Sequence, residues 1–488
     1  MQLELVVSNE SRVLGGARAL VGETLRQLPL PAGQAGELEA LVVGALQDAI
    51  EHAYPRGEQG SIKLTIREQE GKLEITVRDY GIPRDVELLE RQLHSPQAPG
   101  TLFGCATAGV VDEVHWLAFG PEGKALQIRK WLHVTHVAQQ ATPGSIAPFQ
   151  DDAPLAPEQS YEIRRLRADE AVQVSQLMYR AYGNTYFNSD VYYPERVAAQ
   201  NAAGSVVSIV AQAADESIVG HYALEMNQGG PVAETGQAVV DPAHRGRGLL
   251  NRMKEAVLVE ARKSDLVGWY ADAVAVHTLT QKSNVDHGGC LTGVDLGISP
   301  KTEEFKGIAA AQPQRVTCLL YFHWLSPPIE RIVYAPERHR EMIAEIYRRL
   351  GCPVQFATAA SPTGHGTLSV RMESGAARGV LRVEQLGADT VHAVRHATRD
   401  LAERSGAAVV FVDLPLADPG TPLVAESLEA EGFGFAGVAP HFSERGDLLR
   451  LVYLVEPLER EPIKTYDEPA VRLVEYALAD QIRVRAAL

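Results

Sequence analysis

Apolar residues recur at intervals of three and four over residues 37–53 (Leu38, Leu41, Val42, Ala45, Leu46, Ala49, Ala53), which predicts an amphipathic helix with one buried stripe. Beyond it the period drops to two. Ile62, Leu64 and Ile66, then Leu73, Ile75 and Val77, alternate with polar residues on either side of Glu70-Gly71, the pattern of a hairpin buried on one face. A helix laid on a one-faced antiparallel sheet is the packing these patterns call for. Farther along, the apolar strand around Ala238–Val240 breaks at Asp241-Pro242, passes through Arg245-Gly246-Arg247-Gly248 and resumes with a helical period in Leu249, Leu250, Met253, Ala256 and Val257. The last third reads as α/β. Residues 333–351 form a helix with Met342, Ile343, Ile346, Tyr347 and Leu350 on its apolar face; residues 392–416 give a helix, a glycine stop and a continuously apolar strand; a helix, Gly432-Phe433 and a closing strand at Leu448–Leu454 follow.

Two stretches interrupt these patterns. Gln139–Ser160 is rich in Pro, Ala, Gln and acids without a sustained period, as a linker is, and Trp-Leu-Ser-Pro-Pro breaks the pattern near His323–Pro328. The expected organisation is therefore a domain over 1–138, a linker over 139–159, a domain over 160–326 and a domain over 327–488. A chain of 488 residues is too long for one core, and 45% apolar content can furnish several. No charged-apolar leader and no apolar run near the roughly 20 residues that span a bilayer is seen, so a cytoplasmic protein without membrane contact is expected. Cys105, Cys290, Cys318 and Cys352 lack metal-ligand spacing and read as buried thiols. A formal charge of −16 argues against a nucleic-acid partner, because phosphate binding needs clustered positive charge.

A strand that breaks into a Gly-rich turn at a helix start aims several backbone N–H groups at one point, where the helix dipole adds positive potential. Gly246 and Gly248 let phosphates approach the backbone, and Arg245 and Arg247 offer charge-assisted donors. A helix-capping turn would also be Gly-rich and basic. The order of residues resembles the acyl-CoA-binding motif of the GNAT N-acetyltransferases, with Arg245 and Gly248 at matching positions and Leu250 where that family usually has Gly or Ala. Tyr161–Glu170 resembles the head of such folds, and Trp269–Gly297 the following strand, short helix and Gly turn; the likeness covers about 160–325. It implies a mixed sheet flanked by helices and acetyl-CoA held by Val239, Val240, Arg245, Gly246, Arg247, Gly248, Leu249 and Asn284. Acyl transfer to an amine also needs a base, for which Glu225, Glu234 and His277 are the candidates, each of which could equally be structural. The thiolate acid is not placed; Tyr222 and Tyr270 are guesses against a core role. The aromatic-rich run Arg180–Val197 lines an acceptor pocket or covers the core.

The N-terminal frame resembles the ATP-binding domain of the GHKL superfamily, most closely the anti-sigma-factor serine kinases. Leu46–Pro55 looks like its N-box, Arg78–Pro83 like its Asp-x-Gly-x-Gly box, and Gly100–Gly104 with Gly109–Leu132 like the second glycine box and closing strands, over about residues 1–132. The resemblance implies ATP held by Asp48, Asp79, Gly81, Gly100 and Gly104, with Asp79 accepting the adenine amino hydrogen and Asp48 offering oxygen to Mg. Gly44, Asp48 and His52 share one helical face, and the first two stand where the family usually has Glu and Asn. Without a base at Gly44, nucleotide binding is compatible with the sequence and kinase activity is not expected; the domain could also only pack or dimerise. The C-terminal α/β pattern echoes the second half of an acetyltransferase without the Arg-x-x-Gly-x-Gly loop. It reads as a degenerate GNAT-like half that shapes the substrate site or a dimer face, or as an unrelated α/β domain. The whole then reads as an acetyltransferase acting on a small-molecule or protein amine under a nucleotide-sensing domain. The rival is a partner-switching regulator whose N-terminal domain binds a protein partner and whose acetyltransferase-like part senses a ligand without turnover.

Overall fold

The computed structural model describes the chain except residues 29, 31–33, 56, 70, 82–109, 120–122, 133–134, 151–153, 227–230, 304–311 and 487–488. It forms two compact units, Met1–Thr135 and His136–Leu488.

In the first unit, β1 (Gln2–Ser8), α1 (Leu14–Arg26) and α2 (Gln34–His52) precede β2 (Ser61–Gln69), β3 (Lys72–Asp79), β4 (Glu113–Ala118) and β5 (Lys124–Trp131). The five strands run in the order β1-β2-β3-β5-β4 with every neighbouring pair antiparallel. The register sets Leu64 opposite Val77 and Ile66 opposite Ile75, so the period-two residues share one face. Onto that face α2 lays Leu38, Leu41, Val42, Ala45, Leu46 and Ala49, all buried. Each large aliphatic buried there contributes roughly 1.5–3 kcal/mol relative to exposure, and this packing fixes the helix on the sheet.

The second unit opens with β6 (Glu162–Arg165), α3 (Ala171–Tyr182), α4 (Pro194–Ala203), β7 (Val206–Gln212), β8 (Ile218–Met226) and β9 (Val232–Val240). It continues with α5 (Leu249–Ala261), β10 (Gly268–Val274), α6 (Leu279–Asp286), β11 (Cys290–Ser299) and β12 (Val316–Trp324). After these come β13 (Arg331–Val333), α7 (Arg340–Arg349), β14 (Val354–Phe356), β15 (Thr367–Glu373), β16 (Arg378–Gln385), α8 (Thr390–Glu403), β17 (Val409–Pro415), α9 (Thr421–Glu429), β18 (Gly434–Ser443), β19 (Gly446–Leu454) and α10 (Glu468–Ala486). Apart from the small β13–β14 pair, the strands form one twelve-stranded sheet, β15-β16-β17-β19-β18-β11-β12-β10-β9-β8-β7-β6.

That order is palindromic about its centre. β8-β9-β10-β12-β11 on one side is matched by β15-β16-β17-β19-β18 on the other, and each side contains one parallel pair joined by a helix, β9-α5-β10 and β16-α8-β17. The halves meet where Gly293 of β11 pairs with Gly437 of β18. A register slip marks each strand at this place, and Gly437 has φ +135°. A Cβ on Gly437 would collide with the backbone of Gly293, so the junction depends on the missing side chain. A single apolar cluster runs across it, from Val294, Leu319 and Phe322 to Ile343, Phe411, Phe435 and Val474. The break at His323–Pro328 thus falls just after β12, within a unit whose sheet and core run on to the last helix. The Gln139–Ser160 segment also lies along this unit: Phe149 N–H donates to the Arg180 carbonyl at 3.1 Å, and Ala156 N–H to the Ala243 carbonyl at 2.8 Å.

Candidate active site

Although β9 and β10 are parallel neighbours, they pair over only three positions, Val232–Glu234 against Gly268–Tyr270. Beyond them β9 stays with β8 and β10 with β12, so the two strands part and leave a wedge in the sheet. At the same level β9 carries a bulge, with a register slip between His221 and Ala223 of β8 and φ +52° at Gln237. A bulge frees main-chain groups from the ladder. Here it is braced by His221, whose Nδ1 lies 3.1 Å from the Gln237 carbonyl and Nε2 2.9 Å from Ser208 Oγ; burial lowers the His221 pKa to about 4. The wedge opens into a cleft of about 1140 Å³, at the large end for small-molecule sites.

One end of the cleft is the turn before α5. Val240, Arg245, Gly246, Gly248, Leu249 and Asn284 line it. Gly246 and Gly248 have φ +74° and +68°, and a Cβ built on either meets open space, with no atom of the described residues within 4 Å. No described backbone hydrogen bond uses the N–H groups of Gly246, Arg247, Gly248 or Leu249, which is the arrangement that takes an oxyanion at a helix start. Val239 is buried toward the α3 side of the sheet. Arg247, expected as a second donor to phosphate, instead turns its guanidinium to the Ala156 carbonyl. Asn284 is fixed from below by Lys254, which is fully buried and donates to Asn284 Oδ1 at 2.8 Å and to Thr235 Oγ1 at 2.7 Å, 4.1 Å from the Trp269 ring. Burial holds the Lys254 pKa well below that of an ordinary amine. With its oxygen so engaged, the group Asn284 has left to offer a ligand in the cleft it lines is its amide N–H₂. Lys254 escaped the sequence reading; its signal is a lysine four residues after Leu250 and four before Leu258.

Deeper in, Glu225 on β8 and Glu234 on β9 are cross-strand partners. They converge over Gly236: their Oε1 atoms lie 3.0 and 3.1 Å from where its Cβ would be. Among the described residues Glu225 Oε1 is enclosed without a hydrogen-bond partner, while side-chain hydrogen bonds from Gln237 and Asn188 partly offset the effect of burial on this carboxyl. Burial raises the pKa of both, and for Glu234, raised furthest, the Glu225 charge is the next cause. Two carboxylates in one desolvated place cannot both ionise readily, so the pair retains a proton to higher pH than either would alone. Glu234 lines the cleft, as do Asp272 and Glu303, which burial raises to about 7 each. His277 also lines it, but burial lowers it to about 4 and its Nδ1 accepts from Leu279 N–H at 3.2 Å. A neutral ring with Nδ1 engaged carries its proton on Nε2, making His277 a hydrogen-bond donor in place of a base. Tyr182, Tyr186, Tyr222 and Tyr270 line the cleft, all with phenol pKa values raised by burial. The aromatic run divides its work: Tyr182, Tyr186 and Phe187 face the cleft, while Val191 and Tyr192 are core.

The second half closes the far side. Its own parallel pair, β16–β17, stays joined over five positions, from Arg378↔Val409 to Arg382↔Asp413. At the start of α8, Ala388 N–H donates to the Gly364 carbonyl at 3.0 Å and Gly387 N–H to Thr390 Oγ1 at 2.8 Å. A Cβ on Gly387 would strike Gly366, so the chain itself fills the place corresponding to the hollow over α5. Instead of a second groove, β15 and β16 offer a wall of alternate residues, Arg371 and Glu373, then Arg378, Arg382 and Glu384.

In the first unit, Asp79 Oδ1 accepts from Lys124 Nζ at 2.7 Å and from Gly81 N–H at 3.1 Å; Asp79 and Lys124 are both 3% exposed. Gly81 sits against the Ala53 carbonyl with no room for a Cβ. Asp48 is half-buried on α2, and Gly44 faces open space. Gly100 and Gly104 lie outside the described residues. Among the described residues no group of three or more His, Cys, Asp or Glu side chains gathers as for a metal ion, and no helix is long and apolar enough to cross a membrane.

The model of the acetyltransferase (GNAT) family matches residues 171–280, from α3 through the glycine turn to α6, and that of the histidine kinase-like ATPase domain matches residues 7–130. The chain joins a histidine kinase-like ATPase domain to a GNAT acetyltransferase domain. No curated protein matches it. Solved structures similar to part of this chain include an N-acetyltransferase from Staphylococcus aureus Mu50, 15% identical over 34% of this chain and 99% of that one, with TM-score 0.28. A putative acetyltransferase from Salmonella typhimurium, solved with its cofactor acetyl-CoA, is 12% identical over 34% and 95%, with TM-score 0.28. Another, from Acinetobacter baylyi ADP1, is 14% identical over 35% and 96%, with TM-score 0.30.

Proposed function

We propose that the GNAT domain moves the acetyl group of acetyl-CoA to an amine by direct attack within a ternary complex, and that the ATPase-like domain regulates it by sensing nucleotide. The observation that carries the first part is the meeting, in one cleft, of an unfilled glycine turn at a helix start, a sheet wedge and a buried carboxylate pair. Bound acetyl-CoA supplies the thioester. The N–H groups of residues 246–249 and the Arg245 guanidinium hold its phosphates, and Asn284, set by Lys254, holds its amide arm. The Glu225–Glu234 pair takes the proton of the acceptor ammonium, freeing the nitrogen lone pair for the carbonyl carbon. As the C–S bond breaks, the attacking nitrogen gives up its second proton and the leaving sulfur gains one, relayed through a cleft tyrosine that ends protonated as it began, as its raised pKa requires.

The domain over residues 7–130 supports nucleotide sensing through Asp79 and Gly81, with Asp48 as the candidate Mg ligand. Oδ1 of Asp79 is already engaged by Lys124, so an adenine amino group would use the other oxygen or displace the lysine. Gly44 provides no base for phosphoryl transfer. Calorimetric titration of the full chain with acetyl-CoA, without and with Mg-ATP, tests both parts. Micromolar binding of acetyl-CoA is expected, with an affinity that shifts when Mg-ATP is present. No heat with acetyl-CoA overturns the acyltransferase reading, and an affinity indifferent to Mg-ATP overturns the regulatory one.

A further inference from the structure

The wall that β15 and β16 present to the cleft has an uneven charge balance. Strand alternation turns Ser369, Arg371 and Glu373 of β15 and Arg378, Val380, Arg382 and Glu384 of β16 to one face, with Ser369 opposite Arg382 and Glu373 opposite Arg378. Glu373 is shared by two guanidinium groups, Arg371 at 2.8 Å and Arg378 in closer contact. Arg382 is half-buried and takes part in none of the ion pairs found among the described residues. Three arginines against Glu373 and Glu384 leave the wall with one net positive charge. The acidic residues lining the cleft are Glu234, Asp272 and Glu303, carried by strands and a loop of the other half, with Glu225 paired to Glu234 across β8 and β9; the charge of Arg378 already acts on all three.

The position of Arg382 also has a structural meaning. β16 and β17 pair through Arg382↔Asp413, whereas β9 and β10 part after Glu234↔Tyr270. Aligning the two parallel pairs on Asp272 and Asp413 puts Arg382 at the place of Gly236. Where one half has a glycine over which the carboxylate pair closes, its counterpart has a long cation that lines the same cleft.

We propose that the acceptor is an amino carboxylate: its ammonium faces the Glu225–Glu234 pair, and its carboxylate, at the opposite end, is held by Arg382 of the second half. A guanidinium presents a planar pair of donors that matches a carboxylate. A single net charge suits a monoanion, and Glu384, next along the same face, opposes a doubly charged phosphate. The GNAT-like second half is in this account the part that selects the acceptor. The inference rests on the acyltransferase reading for the ammonium end, but the carboxylate end is testable without turnover.

The test uses the full chain and a series of straight amino carboxylates, from glycine to 6-aminohexanoate, with 6-aminohexanamide and an aminoalkyl phosphate as controls. Binding is followed by calorimetry and acetyl transfer by release of CoA thiol. At least one amino carboxylate should bind ten-fold or more tightly than its amide and the phosphate. Arg382→Gln should remove that preference, raising KM for the acid ten-fold or more while acetyl-CoA affinity is unchanged, and Arg382→Lys should restore part of it. Because Arg382 is not part of the apolar core, the circular dichroism spectrum and Tm of both variants should match those of the parent. Acetyl transfer to amines with no preference for a carboxylate overturns the inference and leaves the acyltransferase reading standing. Arg382-dependent binding of amino carboxylates without acetyl transfer does the reverse. Tighter binding of the phosphate, or binding of neither acid nor amide, overturns the inference.

Discussion

Glu225 and Glu234 share a place that only Gly236 keeps open, and their desolvation decides how the site titrates. A base must be ionised to work, so activity rises with pH through the raised pKa of the pair. The acidic limb of kcat/KM should therefore lie well above the ordinary carboxylate range near 4, and Glu234→Gln should lower kcat by about 10²–10⁴-fold with acetyl-CoA affinity unchanged. A pH–rate profile with its limb near 4, or a Glu234→Gln variant of full activity, would count against the pair. His221 has the opposite linkage to stability. Its folded pKa, about 4, is below the unfolded value, so its stabilising contribution is present above about pH 6.5 and is lost as pH falls toward 4. Asp272, raised to about 7, favours the fold below pH 4 and gives up that contribution as pH climbs to 7. Thermal melts from pH 4 to 7 should show the acid-side fall in Tm shrink in His221→Gln relative to the parent.

Helix α5 depends on the turn that precedes it. Gly248 is the residue before the first helical position and has φ +68°; an alanine there would pay about 1–2 kcal/mol for a left-handed conformation. Gly248→Ala should lower Tm modestly and weaken acetyl-CoA binding by ten-fold or more, both readable from one titration and one melt. The turn was legible in the sequence because glycine and arginine spacing is local chemistry, and so were the helix on the sheet around Leu38–Ala49 and the hairpin around Gly71. Glu225 and Glu234 could be named as candidates, but their opposition arises from strand register, and their raised pKa from burial that no spacing reveals. Arg247 looked equivalent to Arg245 until the Pro-rich segment folded back to engage it. Lys254, a single cation inside an apolar stripe, was visible as a letter and not as a feature, because only Asn284 and Thr235, distant in sequence, explain its burial. The helix-strand-helix-strand order of the C-terminal part was readable; the meeting of residues 364–366 with the start of α8 was not, since it depends on a loop folding onto a helix start.

At the scale of the whole second unit, the twelve-stranded sheet joins the half that carries the glycine turn and the half that carries β15–β19 into one cooperative object. Gly437 sits at its centre, so Gly437→Ala should cost about 1–3 kcal/mol through overpacking against backbone, and the loss should appear in the melting of the entire unit. A substitution that lowers Tm for one half and spares the other would contradict a shared core. The same junction governs how the protein can be divided. A chain ended at residue 326 would keep the glycine turn and the carboxylate pair. It would also strip α7 and α10 from β11, remove the β18 contact at Gly293 and leave this ten-residue strand at the sheet's edge, with Leu291, Val294 and Leu296 newly wetted. Uncovered edges of this kind recruit other strands, so such a fragment should be recovered as aggregate or dimer, and a soluble form of this unit should require the strands and helices through α10.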